Sequence, residues 1–187
     1  MPINLPNFIT LGRVIAVPVV FWLLLIGESK AAFLVFVAAG ISDAVDGFLA
    51  KRFNLQTELG AYLDPLADKL LIVSIYIALG VRQEIPLWLV VAVVSRDILI
   101  LSAIMLSWGL NHPVLIRPLT VSKLNTLSQL LLASFVLADI GFNLGFEQTR
   151  IVLVWITGIL TSLSLAAYLR AWLMHMTGTA PGGTPAE

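Results

Sequence analysis

Cysteine is absent from the chain, and charged residues are scarce. Without cysteine, the protein has neither a disulfide framework nor a thiolate site. Asp, Glu, Lys and Arg make up 12% of the 187 residues, whereas a soluble domain carries about 25%. The formal net charge is zero, so the charge gives no sign of a nucleic-acid partner. This shortage of charge favours a protein surface that contacts lipid over much of its area.

Long apolar segments account for most of the sequence, and hydrophobic residues make up 59% of it. A helix needs about 20 apolar residues to cross the hydrocarbon core of a bilayer. Six segments approach this length: 9–27, 31–50, 60–80, 86–108, 120–140 and 150–174. We therefore predict an all-α polytopic membrane protein with six transmembrane helices, in a single membrane domain over 1–176. The tail 177–187 is rich in Gly, Pro and Thr, which predicts disorder.

The distribution of basic residues predicts how the chain is oriented. Cytoplasmic loops carry an excess of Lys and Arg. Placing the N-terminus inside puts most of the basic residues at the cytoplasmic face: Arg13, Lys51, Arg52, Arg117, Lys123 and Arg170. It leaves Lys30, Arg82 and Arg150 outside. We predict that both termini are inside, and that a bacterial protein of this kind lies in the inner membrane.

Four aspartates lie at or inside the ends of the second and third apolar segments: Asp43, Asp46, Asp64 and Asp68. An acidic side chain at membrane depth costs about 2.5–3.5 kcal/mol, so it is a functional candidate. At about 100° per residue, the first two lie about 60° apart around one helix, and the other two about 40° apart around the next. The short connection 51–59 makes the two helices antiparallel. Both pairs therefore meet at the cytoplasmic side.

A pocket with four carboxylates predicts a metal site. Four such groups cannot all stay ionised without cations, and two divalent ions would neutralise them. Oxygen ligands suit Mg²⁺, Mn²⁺ or Ca²⁺. Two metal ions can clamp the attacking and leaving oxygens of a phosphoryl displacement. Gly47 and Gly60 allow a ligand or a neighbouring helix to approach the backbone closely.

Two other interpretations of the aspartates remain open. They are structural if they cap helix ends or pair with Lys51, Arg52 and Lys69. They line a pathway if the protein is a divalent-cation transporter, because intramembrane aspartates also occur in transporters. The sequence has no paired inverted halves, which many transporters have. We therefore favour an enzyme.

The stretch from Asp43 to Asp68 resembles the signature of the CDP-alcohol phosphotransferase family, D-x2-D-G-x2-A-R-x8-G-x3-D-x3-D. Seven of its eight fixed positions match: Asp43, Asp46, Gly47, Ala50, Gly60, Asp64 and Asp68. The family arginine is Lys51 here, followed at once by Arg52. Lysine lacks the bidentate fork of arginine, so the difference affects how this position orients a phosphate. The resemblance also includes the opening segment 6–13 and the six spans.

The resemblance implies a fold, a reaction and roles for residues. It implies a homodimer of six-helix protomers, with a polar cavity open to the cytoplasm. The four aspartates would hold two divalent metal ions, Mg²⁺ or Mn²⁺, and Asp68 would act as the general base. A phosphatidyl group would pass from CDP-diacylglycerol to an alcohol, releasing CMP. The residues expected to bind CDP are Asn7, Thr10, Arg13, Gly47, Ala50, Lys51, Arg52 and Gly60.

The second half of the chain bears on the acceptor alcohol. Residues 95–97 and 122–126 resemble the family members that use phosphatidylglycerol, the cardiolipin synthases. The members that use glycerol-3-phosphate carry two further cations. One is an arginine, and 98–106 contains none here. The other is a lysine, and its position is occupied by Asn125. A phosphate dianion needs several charge-assisted contacts. We therefore expect phosphatidylglycerol as the acceptor and glycerol-3-phosphate as the alternative.

The residues expected to bind the acceptor are Arg96, Arg117, Lys123 and Asn125. Two of them have a simpler interpretation. Arg96 is followed directly by an acidic residue, Asp97, and a purely structural ion pair between the two is the alternative to acceptor binding. Arg117 is otherwise an ordinary loop charge.

Overall fold

The computed structural model describes residues 5–53, 58–109 and 120–176, and these ranges form six α-helices. The helices are α1 Leu5–Leu25, α2 Ser29–Phe53, α3 Glu58–Val81, α4 Leu87–Gly109, α5 Thr120–Phe142 and α6 Glu147–Met176. At 1.5 Å per residue, the shortest helix is about 32 Å long and the longest about 45 Å. The all-α class is confirmed, and each helix covers one of the six predicted apolar segments. The predicted tail lies outside the described residues, so the domain boundary stays a prediction.

Two of the described helices are long and apolar enough to cross a membrane by length and composition, Thr120–Phe142 and Glu147–Met174. A shorter apolar stretch covers Gly12–Leu25. Six membrane crossings therefore stay a prediction. Large apolar side chains on the outside of the bundle fit contact with lipid, since Trp22, Leu87 and Trp155 are each more than half exposed.

The helices pack as a closed ring. Helix α1 contacts α2 and α3, α2 continues to α5, α5 to α6, α6 to α4, and α4 returns to α3. Contacts between α3 and α5 cross the middle of this ring. The centre holds fully buried side chains from several helices, among them Leu24, Tyr76, Leu89 and Leu132. Helix α3 is thereby placed next to α1 on one side and α4 on the other.

At one end of the bundle, α1, α3 and α5 terminate in left-handed residues. Gly27, Gln83 and Asn143 have φ values of 88°, 60° and 53°. Beyond α1 and α3, the next amide reaches back to the carbonyl five residues earlier, as in Glu28 N to Leu23 O at 2.9 Å. This hydrogen bond satisfies a carbonyl that would otherwise have no partner at the helix end. These sharp ends allow α2, α4 and α6 to begin immediately alongside.

The same end is held together by contacts between helices. Arg82 donates to the carbonyl of Leu24 at 2.7 Å and to the hydroxyl of Ser29 at 3.1 Å. Arg150 donates to Glu84 at 3.0 Å. The aspartate-bearing parts of α2 and α3 lie at the opposite end, because α2 begins here and α3 ends here.

Candidate active site

An arginine on α1 joins the two helices that carry the aspartates. Arg13 donates from Nη1 to Asp68 Oδ1 at 2.7 Å, and from Nη2 to Asp43 Oδ1. Its side chain is 2% exposed, whereas those of Asp43 and Asp68 are 42% and 44% exposed. The buried guanidinium holds one carboxylate from α2 and one from α3 beside each other. The sequence placed Arg13 near the nucleotide but did not predict this bridge.

Both carboxylates face a cavity of about 390 Å³ between α1, α2, α3 and α5. Its charged end is formed by Arg13, Asp43 and Asp68, and its wall continues along apolar side chains such as Phe36 and Leu71. A polar group next to an apolar groove suits a lipid substrate, whose headgroup and acyl chains need different surroundings. A larger cavity of about 750 Å³ lies at the other end of the bundle. There Glu84 accepts from Arg150, and none of the described residues that line the wall is an aspartate.

The backbone of α2 includes Asp43 and Asp46, and that of α3 includes Asp64 and Asp68. The side chains of Asp46 and Asp64 lie outside the described part of the structure. Among the side chains that are described, there is no group of three or more His, Asp or Glu residues that could hold a metal ion. The half-exposed carboxylates of Asp43 and Asp68 are hard oxygen ligands that fit Mg²⁺ or Mn²⁺. The four-aspartate ligand set stays a prediction.

Most of the residues expected to bind CDP have side chains outside the described part of the structure: Asn7, Thr10, Gly47, Ala50, Lys51, Arg52 and Gly60. Their backbones nevertheless belong to α1, α2 and α3. Arg13 is the described member of the set, and it lies within the aspartate cluster.

A second charged cluster is centred on Asp97 in α4. Lys69 Nζ lies 2.7 Å from both carboxylate oxygens of Asp97, and Arg96 Nη1 lies 2.5 Å from Oδ1. Arg96 Nη2 donates to Ser122 at 2.6 Å and to Ser164 at 2.8 Å. The Arg96–Asp97 ion pair, which the sequence offered as the alternative to acceptor binding by Arg96, is therefore present. The Lys69–Asp97 pair was not predicted, although a lysine inside an apolar helix is a signal that an acidic partner lies nearby.

The other residues expected to bind the acceptor lie in different surroundings. Lys123 is exposed in the first turn of α5, beside an open cavity of about 380 Å³ that also touches Ser122 and Thr126. Asn125 is fully buried, and its Oδ1 accepts a hydrogen bond from Thr161 at 2.8 Å. Arg117 lies outside the described residues. The acceptor-binding roles of all four residues, Arg96 included, stay predictions.

Comparison with known proteins gives the family. The sequence profile described as CDP-alcohol phosphatidyltransferase matches residues 3–169, which is most of the chain. The match includes both helices that carry the aspartates and the helices around the second charged cluster. The chain therefore belongs to the CDP-alcohol phosphatidyltransferase family, a family of enzymes.

Named relatives fall into two groups within this family. A protein of Schizosaccharomyces pombe, a cardiolipin synthase (CMP-forming) / mitochondrial hydrolase fusion protein, is 33% identical, covering 88% of this chain and 30% of the relative. The cardiolipin synthase (CMP-forming) of Rattus norvegicus is 32% identical, and the match covers 89% of this chain and 61% of the relative. The CDP-diacylglycerol–glycerol-3-phosphate 3-phosphatidyltransferase of Escherichia coli is 34% identical, and the match covers 91% of this chain and 96% of the relative. The chain thus spans less than two thirds of the length of these two eukaryotic relatives. The cardiolipin synthases and the Escherichia coli phosphatidyltransferase are therefore similar to this chain to nearly the same degree.

Proposed function

We propose that the protein transfers a phosphatidyl group from CDP-diacylglycerol to the hydroxyl of phosphatidylglycerol, giving cardiolipin and CMP. The observation that carries this proposal is the pair of carboxylates, Asp43 and Asp68, joined by Arg13 at the charged end of a mostly apolar cavity. In a member of this family, such a site fits a donor with a charged diphosphate and two acyl chains.

The residues of the site divide into three roles. Two divalent ions, Mg²⁺ or Mn²⁺, would be held by the four aspartates and would neutralise charge on the phosphates. The resemblance to the family signature supports binding of CDP by the residues around Gly47 and Lys51. Arg13 fixes the carboxylates of Asp43 and Asp68, because a planar guanidinium holds two acceptors at once in a fixed geometry.

Asp68 is the proposed general base. Its carboxylate accepts the proton of the acceptor hydroxyl as the hydroxyl oxygen attacks the phosphorus of the phosphatidyl group. The bond from that phosphorus to the oxygen shared with CMP breaks, and CMP leaves with the electron pair. The hydrogen bond from Arg13 to Asp68 Oδ1 keeps the carboxylate oriented for this transfer.

The preference for phosphatidylglycerol is argued from charge. Arg96 is paired with Asp97, and the side-chain oxygen of Asn125 is buried against Thr161. A glycerol-3-phosphate site must replace the water around a nearly dianionic group with several fixed cations. Phosphatidylglycerol presents one phosphodiester charge and is anchored in the bilayer by its acyl chains. The alternative acceptor is glycerol-3-phosphate, which the name of the Escherichia coli relative favours.

The proposed setting is an inner membrane, crossed six times by each protomer of a homodimer, with the site facing the cytoplasm. The division of basic residues supports this orientation. Arg82 and Arg150 make their contacts at the end of the bundle opposite Arg13 and the aspartates. This separation is what the positive-inside argument requires.

The test is to identify the product. Purified protein receives labelled CDP-diacylglycerol with either phosphatidylglycerol or glycerol-3-phosphate, and the lipids are separated. We expect cardiolipin with the first acceptor and little product with the second. Phosphatidylglycerophosphate as the main product would replace the proposed acceptor with the alternative. Metal flux into sealed liposomes without CMP release from either acceptor would instead favour the transporter.

A further inference from the structure

The cluster around Asp97 carries more positive than negative charge. Asp97 is the carboxylate partner of two cations, Lys69 and Arg96, so the three side chains together carry one excess positive charge. Asp97 and Arg96 are buried, with side chains 6% and 3% exposed. One carboxylate cannot neutralise two cations, so water or an anion compensates the remaining charge on the exposed side of the cluster. The cluster is therefore suited to a singly charged anionic ligand.

The two cations differ in access. Arg96 is enclosed: its Nη atoms are used by Asp97, Ser122 and Ser164, and its guanidinium lies 5.6 Å from the ring centre of Tyr168. The side chain of Lys69 is 35% exposed. An ammonium group has three N–H donors, so two hydrogen bonds to Asp97 leave one donor for a ligand. The cation that a ligand reaches is Lys69.

Lys69 lies next to the proposed general base. Asp68 and Lys69 are consecutive on α3, about 100° apart around the helix axis. Asp68 contacts Arg13 of α1, and Lys69 contacts Asp97 of α4. Their Cα atoms are about 3.8 Å apart, so an anion held by Lys69 lies at the same turn of α3 as the proposed base.

The first turns of α5 connect the two clusters. Ser122 receives a hydrogen bond from Arg96, and Thr126, one turn later, lines the cavity that contains Asp68. The same two residues line the open cavity beside Lys123. The first two turns of α5 therefore border both the cavity that contains Asp68 and the hydrogen bonds of Arg96.

We propose that Lys69, held in place by Asp97, binds a phosphate oxygen of the acceptor and so positions the acceptor hydroxyl next to Asp68. This inference rests on the proposed function. Arg96 then acts as a positioning residue, which fixes Asp97 from the buried side. The single excess positive charge matches the phosphodiester of phosphatidylglycerol, and the phosphate of glycerol-3-phosphate offers the same oxygen chemistry. The two sources are separate arms of the experiment.

The main experiment restores the charge chemically in Lys69→Cys. The native chain has no cysteine, so a thiol reagent modifies the introduced residue alone. Loss of a charge-assisted contact predicts an acceptor KM raised about tenfold or more, with the KM for CDP-diacylglycerol changed by less than about twofold. Aminoethyl methanethiosulfonate, which restores an ammonium group, should lower the acceptor KM again. Methyl methanethiosulfonate, which adds an uncharged group, should leave the acceptor KM raised. An unchanged acceptor KM in Lys69→Cys, or equal rescue by both reagents, would overturn the proposal.

The positioning role of Asp97 has its own test. Asp97→Asn keeps the shape but removes the charge that anchors Lys69, so it should raise the acceptor KM and leave the donor KM unchanged. The double variant Asp97→Asn/Lys69→Gln should have an acceptor KM close to that of Lys69→Gln alone, because the two residues act as one unit. The matched control is Glu84→Gln, which removes a carboxylate paired with Arg150 at the other end of the bundle. Equal KM changes in Asp97→Asn and Glu84→Gln would contradict a specific role for Asp97.

A measurement on the wild-type protein avoids any dependence on variant folding. Acetylation by an N-hydroxysuccinimide ester is followed by mass spectrometry at Lys69 and at Lys30, which is exposed at the other end. Phosphatidylglycerol in detergent micelles, or glycerol-3-phosphate, should slow the reaction at Lys69 and leave Lys30 unchanged. The acceptor that protects better identifies the source of the phosphate. No protection by either acceptor would refute the inference, whereas absence of CMP release with both would refute the proposed function separately.

Discussion

Arg13 and Asp68 are joined by a hydrogen bond of 2.7 Å, from a buried guanidinium on α1 to a half-exposed carboxylate on α3. The other Nη atom of Arg13 binds Asp43 of α2, so one side chain links three helices at the site. A residue in this position has both a structural and a functional effect. It fixes the helices, and it sets where the proposed general base points.

Arg13→Gln should reduce both turnover and stability. Each charge-assisted hydrogen bond is worth about 1.5–3 kcal/mol, so losing the bridge should lower kcat by about tenfold or more. Arg13→Lys is the control, because it keeps the charge but lacks the fork that reaches two carboxylates. The kcat and the thermal unfolding midpoint of Arg13→Lys should both lie between those of the wild type and those of Arg13→Gln. Wild-type kcat and thermal unfolding midpoint in Arg13→Gln would show that the bridge has no role.

Removing divalent metal should abolish transfer. In the proposed site, four carboxylates and the diphosphate of the donor would share one pocket without enough positive charge if the metal were removed. We expect no CMP release in excess EDTA and full recovery when Mg²⁺ or Mn²⁺ is added back. Undiminished turnover in EDTA would exclude the metal-dependent mechanism while leaving the fold intact.

The elements of the fold were largely predictable, whereas the contacts between charged residues were not. Apolar segment length located all six helices, because each is a long hydrophobic run ended by polar or glycine residues. Gly27 marks such an end directly, but Gln83 adopts the same left-handed conformation without a sequence signal. The sequence suggests lysines and arginines near the aspartates as their partners. Asp43 and Asp68 are both bound by Arg13, which is 30 positions from Asp43 and 55 from Asp68.

The second charged cluster shows the same limit. Adjacent residues allowed the Arg96–Asp97 pair to be anticipated from the sequence. The contact between Lys69 and Asp97 depends on how α3 packs against α4, and the hydroxyl of Ser164 comes from α6. Tertiary packing decides such pairs, and a single sequence contains no signal for the relative rotation of two helices.

The orientation of the protein can be measured with single cysteines in the cysteine-free chain. Arg52→Cys and Lys123→Cys should react with a membrane-impermeant maleimide from the cytoplasmic side only. Glu28→Cys and Glu147→Cys should react from the opposite side, since both residues are exposed at the other end of the bundle. Labelling of all four from one side would contradict the proposed membrane crossing and the cytoplasmic site.

The most direct test of the central claim is CMP release from CDP-diacylglycerol and phosphatidylglycerol by the purified wild type and by Asp68→Asn. Asparagine keeps the size of the side chain but cannot accept the proton. The account predicts acceptor-dependent CMP release by the wild type and a fall of about 100-fold or more in Asp68→Asn, the usual scale for loss of a general base. A thermal unfolding midpoint close to that of the wild type would show that the variant is folded. Near-normal CMP release by folded Asp68→Asn would contradict the assignment of the base, and no release by the wild type would contradict phosphatidyl transfer itself.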